Sequence, residues 1–217
     1  MLNILFPKNS TERISIFIIW LFHFCGLLGI AYGNKDWFVS FTPVNLFISF
    51  VLLFVNQREL EFKNIIAGLS IFLIGMLAEI LGVNYGIIFG EYVYLDNLGY
   101  KFLGVPFIIG IQWILLTFIT GSFSSYFFSN NKFKAILFGT VLMVLLDVLI
   151  EPVAPEMGFW IFENLTAPLK NYFGWFLIGL PVQFVFHYGI DKKELTFSFN
   201  LLLIQFLFFG FMNILAL

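Results

Sequence analysis

Nearly unbroken apolar runs alternate with short polar segments along the whole chain. Seven runs stand out, at roughly 14–32, 37–55, 64–83, 103–121, 134–151, 172–188 and 196–215. Each is close to the ~20 residues a helix needs to span a bilayer. The pattern predicts an all-α, polytopic transmembrane bundle of about seven helices. The first run, "ISIFIIWLFHFCGLLGIAY", is too long for the apolar part of a signal peptide and no small-x-small site follows it, so it reads as a retained helix. Pro43 falls inside the second run, near the first turn, where proline is tolerated. No linker rich in Pro, Gly or Ser and no internal repeat interrupts the pattern. Residues 1–217 therefore read as a single integral membrane domain.

Composition agrees. Hydrophobic residues make up 60% of the chain and charged residues 11%, with a mean hydropathy of +0.97. Soluble domains carry ~25% charged residues. The 32 Phe read mostly as lipid-facing filler, with the 5 Trp and 8 Tyr as candidates for interfacial belts or a cavity wall. A net charge of −2 without a basic tail argues against nucleic acid as a partner. The single Cys25 excludes a disulfide framework and a thiolate metal cluster.

Lys8, Arg13, Arg58, Lys63, Lys132, Lys134, Lys192 and Lys193 fall on one side of the spans, and only Lys35, Lys101 and Lys170 on the other. Positive charge favours the cytoplasm, so the N-terminus is expected there and the C-terminus outside. The expected location is the inner membrane of a bacterial cell. Acidic residues divide the other way. Asp36, Glu79, Glu91, Asp96, Asp147, Glu151, Glu156 and Glu163 gather at the outer ends of the helices, beside the two longest loops, 84–102 and 152–171.

Two acids lie within the apolar runs themselves. Glu79 is ~6 Å below the rim of the third helix at 1.5 Å per residue, and Asp147 has the same depth in the fifth. Asp147 follows ten uncharged residues, 137–146. Acids at such depth are costly and point either to function or to a neighbouring Tyr or Trp that they bond. Asp147 and Glu151 are spaced i, i+4 and face one side if the helix persists that far. One of the two would then stay protonated near neutral pH. Pro152 leaves a second reading open, because it pushes Glu151 away from helical geometry and toward a loop. Gly68, Gly75 and Gly82 recur every seven residues, which reads as a seam for close helix approach. Tyr92 and Tyr94 fit either an aromatic belt or a cavity wall, whereas Trp113 lies nearer the midplane. His23 and His187 are isolated and read as structural, so no metal site is expected. No phosphate loop or Ser/Cys nucleophile motif is present.

Four motifs occur in an order that resembles a known family: "GIIFGEYVY" (86–94), "LGVPFIIGIQW" (103–113), "LDVLIEPVAPEMGFW" (146–160) and "PLKNYFGW" (168–175). They are similar to those of the membrane carotenoid hydratases of the CruF type, over roughly residues 75–180. Ile88 stands where that pattern would have proline, and Phe162 where a second Trp is common. The resemblance implies a multi-helix membrane enzyme that adds water across the terminal 1,2 double bond of an acyclic carotenoid end, leaving a tertiary alcohol without any cofactor. Its partners would be a lipophilic polyene, water and the lipid bilayer. Chemistry assigns the roles. A buried carboxylic acid protonates the alkene, with Asp147 as first candidate and Glu79 and Glu151 beside it. Phe89, Tyr92, Tyr94, Trp113, Trp160 and Trp175 would wall the cation, and Asn171 or a second carboxylate would hold the water.

Other classes fit less well. A retinal protein needs a lysine in its last helix, and residues 196–217 contain none. A polyprenyl transferase needs clustered Asp motifs for magnesium, and one Asp147–Glu151 pair is insufficient. A proton-coupled or non-catalytic carrier of a lipophilic molecule, and a carotenoid cyclase using the same acid chemistry, both stay open.

Overall fold

The computed structural model describes residues 6–57 and 61–215. Arg58, part of the orientation reading, lies outside the described residues. Eight helices follow in order: α1 (Ser10–Tyr32), α2 (Lys35–Ser40), α3 (Thr42–Asn56), α4 (Phe62–Tyr85), α5 (Phe107–Phe127), α6 (Lys132–Ile150), α7 (Leu169–Gly189) and α8 (Thr196–Ile214). Among the described residues, six spans are long and apolar enough to cross a membrane, with Lys35–Asn56 counting as one. The protein is thus an all-α membrane bundle. The expected seventh helix also forms, as α7, and packs along α6 and α4. It buries Asn171, Gln183 and His187 and is not among the six.

Local chemistry sets the ends of these helices. Asn9, Asn34 and Asn131 accept from the N–H groups of Glu12, Trp37 and Lys134, capping α1, α2 and α6. The chain breaks at Phe41, and Pro43 sits in the first turn of α3, as anticipated. Gly86, at φ 62°, closes α4 in the left-handed conformation. The fourth apolar run departs from expectation. Its first residues are not helical: β2 (Lys101–Phe102) and β3 (Val105–Pro106) form a small hairpin, and α5 starts only at Phe107. Leu103 and Gly104, at φ 49° and 86°, make its two-residue turn. The same helix runs past its expected end to Phe127, with Ser124 and Ser125 donating to the Gly121 carbonyl in its last turns.

The most apolar stretch of α5 is 72% buried, against 17–50% for the other five spans, so α5 is the central column. It packs against α3, α4, α6, α7 and α8. Lipid offers no hydrophobic drive between helices, so close packing and polar bonds hold the bundle. Gln183 of α7 donates to Thr120 Oγ1 of α5 at 2.7 Å, and Asn213 of α8 to the Leu149 carbonyl of α6 at 2.7 Å. Trp20 of α1 donates to Asn200 of α8 at 3.0 Å. Phe17, Phe62 and Phe173 face outward, in keeping with the lipid-filler reading.

The polar connections sort to the two ends as the charge pattern implied. Lys63 pairs with Asp191 at one end, and Lys35 with Glu156 at 3.2 Å at the other. That second end also carries β1 (Tyr92–Tyr94), which pairs antiparallel with β4 (Trp160–Phe162).

Candidate functional site

The β1–β4 ribbon explains how two loop tyrosines reach the helices. Side chains alternate along a strand, so Tyr92 and Tyr94 share one face while Val93 points away. Tyr92 lies opposite Phe162 and Tyr94 opposite Trp160, so four rings roof the bundle. Beneath them lies Glu79 of α4. It is 4% exposed and accepts three hydrogen bonds. Tyr92 Oη donates to Oε2 at 2.5 Å, Tyr94 Oη to the same oxygen at 2.8 Å, and Trp113 Nε1 to Oε1 at 3.0 Å. Burial, followed by the nearby Glu79, pushes both tyrosine hydroxyls well above their ordinary range, so they remain donors.

Asp147 and Glu151 form the second acidic centre. Glu151 keeps helical backbone angles (φ −54°, ψ −45°), and its N–H bonds the Asp147 carbonyl at 2.9 Å. The pre-proline position has not turned it into a loop residue, and the i, i+4 pairing holds. Asn171 of α7 ties the pair together, donating from Nδ2 to Asp147 Oδ2 at 2.8 Å and to Glu151 Oε1 at 3.0 Å. Trp160 Nε1 donates to Glu151 Oε2 at 3.1 Å. Asp147 Oδ1 is buried with no hydrogen-bond partner. Burial raises the Glu151 carboxyl to about 7, while hydrogen bonds from Trp160 and Asn171 hold it down. Among the described residues, none of the three carboxylates forms an ion pair.

The aromatic rings line the same cavity as the two acidic centres. Trp113 of α5 and Trp175 of α7 stack with centroids 4.4 Å apart, and Phe89 contacts both at 6.5 and 6.3 Å. The glycine seam of α4 serves this wall. A Cβ on Gly75 would lie 2.3 Å from the Trp113 ring, and one on Gly82 2.9 Å from Phe89. Those glycines admit aromatic side chains and not the backbone of a neighbouring helix. All the candidate residues, Glu79, Phe89, Tyr92, Tyr94, Trp113, Asp147, Glu151, Trp160, Asn171 and Trp175, line one cavity of about 120 Å³. Tyr92 and Tyr94 belong to the cavity wall rather than to a belt.

A sequence model of the carotenoid biosynthesis protein family matches residues 41–217. The chain belongs to that family. It is also 30% identical over 129 residues to the bisanhydrobacterioruberin hydratase of Haloarcula japonica, covering 54% of this chain and 42% of that relative. The chain thus matches less than half the length of this curated relative. No solved structure matches the chain. In this carotenoid biosynthesis protein the four sequence motifs map onto the cavity: two build the β1–β4 roof, one brings Trp113, and one brings Asn171 and Trp175.

Some lining residues escaped the sequence reading. Phe162 was noted only as a departure from the family pattern, yet its ring lies 5.2 Å from Tyr92. Asn45, Gln112 and Gln205 also face the cavity. Each is an amide within an apolar run, a signal that was available but that Asp147 overshadowed. His187 lies elsewhere, bonded to Ser124 and Ser125 at 3.3 Å, whereas His23 reaches the cavity wall.

Proposed function

We propose that this protein adds water to the terminal 1,2 double bond of an acyclic carotenoid end. The observation that carries the reading is the buried, Asn171-bridged Asp147–Glu151 pair, which shares one cavity with the stacked indoles. Asp147 is the acid. Its unpartnered Oδ1 is the oxygen available to carry a transferable proton. The alkene π pair takes that proton at the less substituted carbon, leaving a carboxylate and a tertiary cation. The faces of Trp113, Trp175 and Phe89 stabilise such a cation by ~2 kcal/mol or more each when water is excluded. A water oxygen then forms the C–O bond, and its surplus proton passes to the Glu151 carboxylate and back to Asp147. Atoms balance as alkene plus water to alcohol, with no electron acceptor or donor required.

Glu79 has a different part. All three of its contacts are donors, so it anchors Tyr92, Tyr94 and Trp113 as an acceptor instead of serving as the acid. Asn171 spends its N–H groups on the two carboxylates, so it positions the acids rather than the water. The rest of the polyene stays in the bilayer, whose ~30 Å core accommodates an extended chain. In a bacterial cell that bilayer would be the inner membrane.

The test is the mass of the product. Protein in lipid vesicles, given an acyclic carotene in ¹⁸O-labelled water, should yield an alcohol heavier by one labelled water. A product of unchanged mass would point to a cyclase or a carrier and overturn the reading.

A further inference from the structure

The cavity does not end at the acids. It is lined as well by His23 of α1, Asn45 of α3, Gln112 of α5 and Gln205 of α8. Its α5 wall extends from Ile109 to Leu116, ~10 Å along the helix axis. The amide oxygens of Asn45, Gln112 and Gln205 are all buried without a hydrogen-bond partner, and Gln205 is only 3% exposed. An unpaired buried amide costs roughly 1–3 kcal/mol, so three in one cavity are a heavy penalty for packing alone. His23 adds a fourth acceptor. Its Nδ1 lies 2.8 Å from the Ile19 carbonyl, which can only accept, so the proton is on Nδ1 and Nε2 is left as an acceptor. The surrounding wall is apolar, with Leu46, Phe208 and Phe209.

We propose that these four residues form a second subsite of the cavity, separate from the acids, which binds an O–H group. A hydroxyl suits it because it donates to an amide oxygen or to Nε2 and accepts from an amide N–H. A carboxylate would face too many acceptors. Two sources of such a group fit: an alcohol on the bound polyene itself, a few carbons from the reacting alkene, or a water held in readiness. The inference rests on the same cavity as the proposed hydration, but binding tests it without turnover.

The probes are an acyclic carotene and its monohydroxy derivative, titrated against the protein in lipid nanodiscs and followed by quenching of tryptophan fluorescence. The variants are the near-isosteric Asn45→Leu and Gln205→Met. Replacing unpartnered amides by apolar groups should leave the melting temperature unchanged or raised, which separates binding from folding. If the alcohol belongs to the ligand, the hydroxylated probe binds about ten-fold more tightly to the wild type, and the variants lose that preference while holding the hydrocarbon equally well. If the subsite holds water, both probes bind alike throughout and the variants lower only the hydration rate. Variants that alter neither the preference nor the rate, or that lose stability, overturn the proposal and return the amides to packing. Should the chain prove not to hydrate at all, the binding preference still decides whether the subsite takes an alcohol.

Discussion

Trp113 and Trp175 lie face to face, 4.4 Å between centroids and 15° from parallel, though they come from different helices. The Trp113 ring is fixed from both sides, by its N–H bond to Glu79 and by the open backbone of Gly75. Such a pre-set stack costs no reorganisation when charge develops beside it.

Replacing either indole by Leu keeps an apolar side chain and removes the electron-rich face. Both variants should fold, with turnover reduced ten-fold or more, since ~1.4 kcal/mol of lost barrier lowering already gives that factor. Product formation by chromatography measures it. Unchanged turnover in both variants would assign the stack to packing.

Gly75→Ala approaches the same wall from behind. The new methyl would sit 2.3 Å from Trp113 Cγ and 2.8 Å from its Cβ, atoms too near the α5 backbone to swing aside. Overpacking of this kind costs ~1–3 kcal/mol. Both melting temperature and turnover should fall. Gly210→Ala is the control, because nothing lies within 4 Å of its added methyl. There the melting temperature should hold or rise, as Ala favours a helix over Gly.

Glu151 sets a pH dependence. Its folded value is about 7, above the ordinary 4.5, with burial as the main cause. In the proposed mechanism it accepts the water's proton and must be ionised, so turnover should rise with pH through about 7. Trp160→Phe removes a donor that favours the charged form, so the midpoint should move upward. Stability runs the other way. The folded state binds this proton more tightly than the unfolded one, so the contribution is complete below 4.5 and is lost as pH rises through about 7. Glu151→Gln should flatten that part of the melting-temperature profile.

The helices were legible because lipid imposes long apolar runs, and the deep acids because charge is rare in such runs. Hydropathy also hid features. Residues 103–106 are as apolar as a helix, and only the left-handed backbone at Leu103 and Gly104 reveals the hairpin. The seven-residue glycine spacing was visible, but what fills the space is a matter of tertiary packing. The alternation of Tyr92 and Tyr94 was visible too. Their common acceptor, Glu79, depends on the pairing of β1 with β4, which joins segments about seventy residues apart. The link from Asn171 to Asp147 and Glu151 likewise needed α6 and α7 to be packed.

The proton donor can be tested by exchange. Asp147 and Glu79 are both buried acids on the same cavity, yet their bonding differs. Asp147 has one oxygen held by Asn171 and the other without a partner. Glu79 has both oxygens engaged by donors. Asp147→Asn preserves shape and removes the transferable proton, so hydration should fall to background while carotene binding persists. Glu79→Gln keeps a carbonyl oxygen for the tyrosines but sets an N–H against one of the three donors, so one contact is lost. Its effect should be milder, about ten-fold on turnover, with some loss of thermal stability as the roof loosens, consistent with ~1–3 kcal/mol for an unpaired buried group. If Asp147→Asn hydrates at near wild-type rate while Glu79→Gln is dead, the two roles must be exchanged. If both remain fully active, protonation by a buried carboxylic acid is the wrong mechanism.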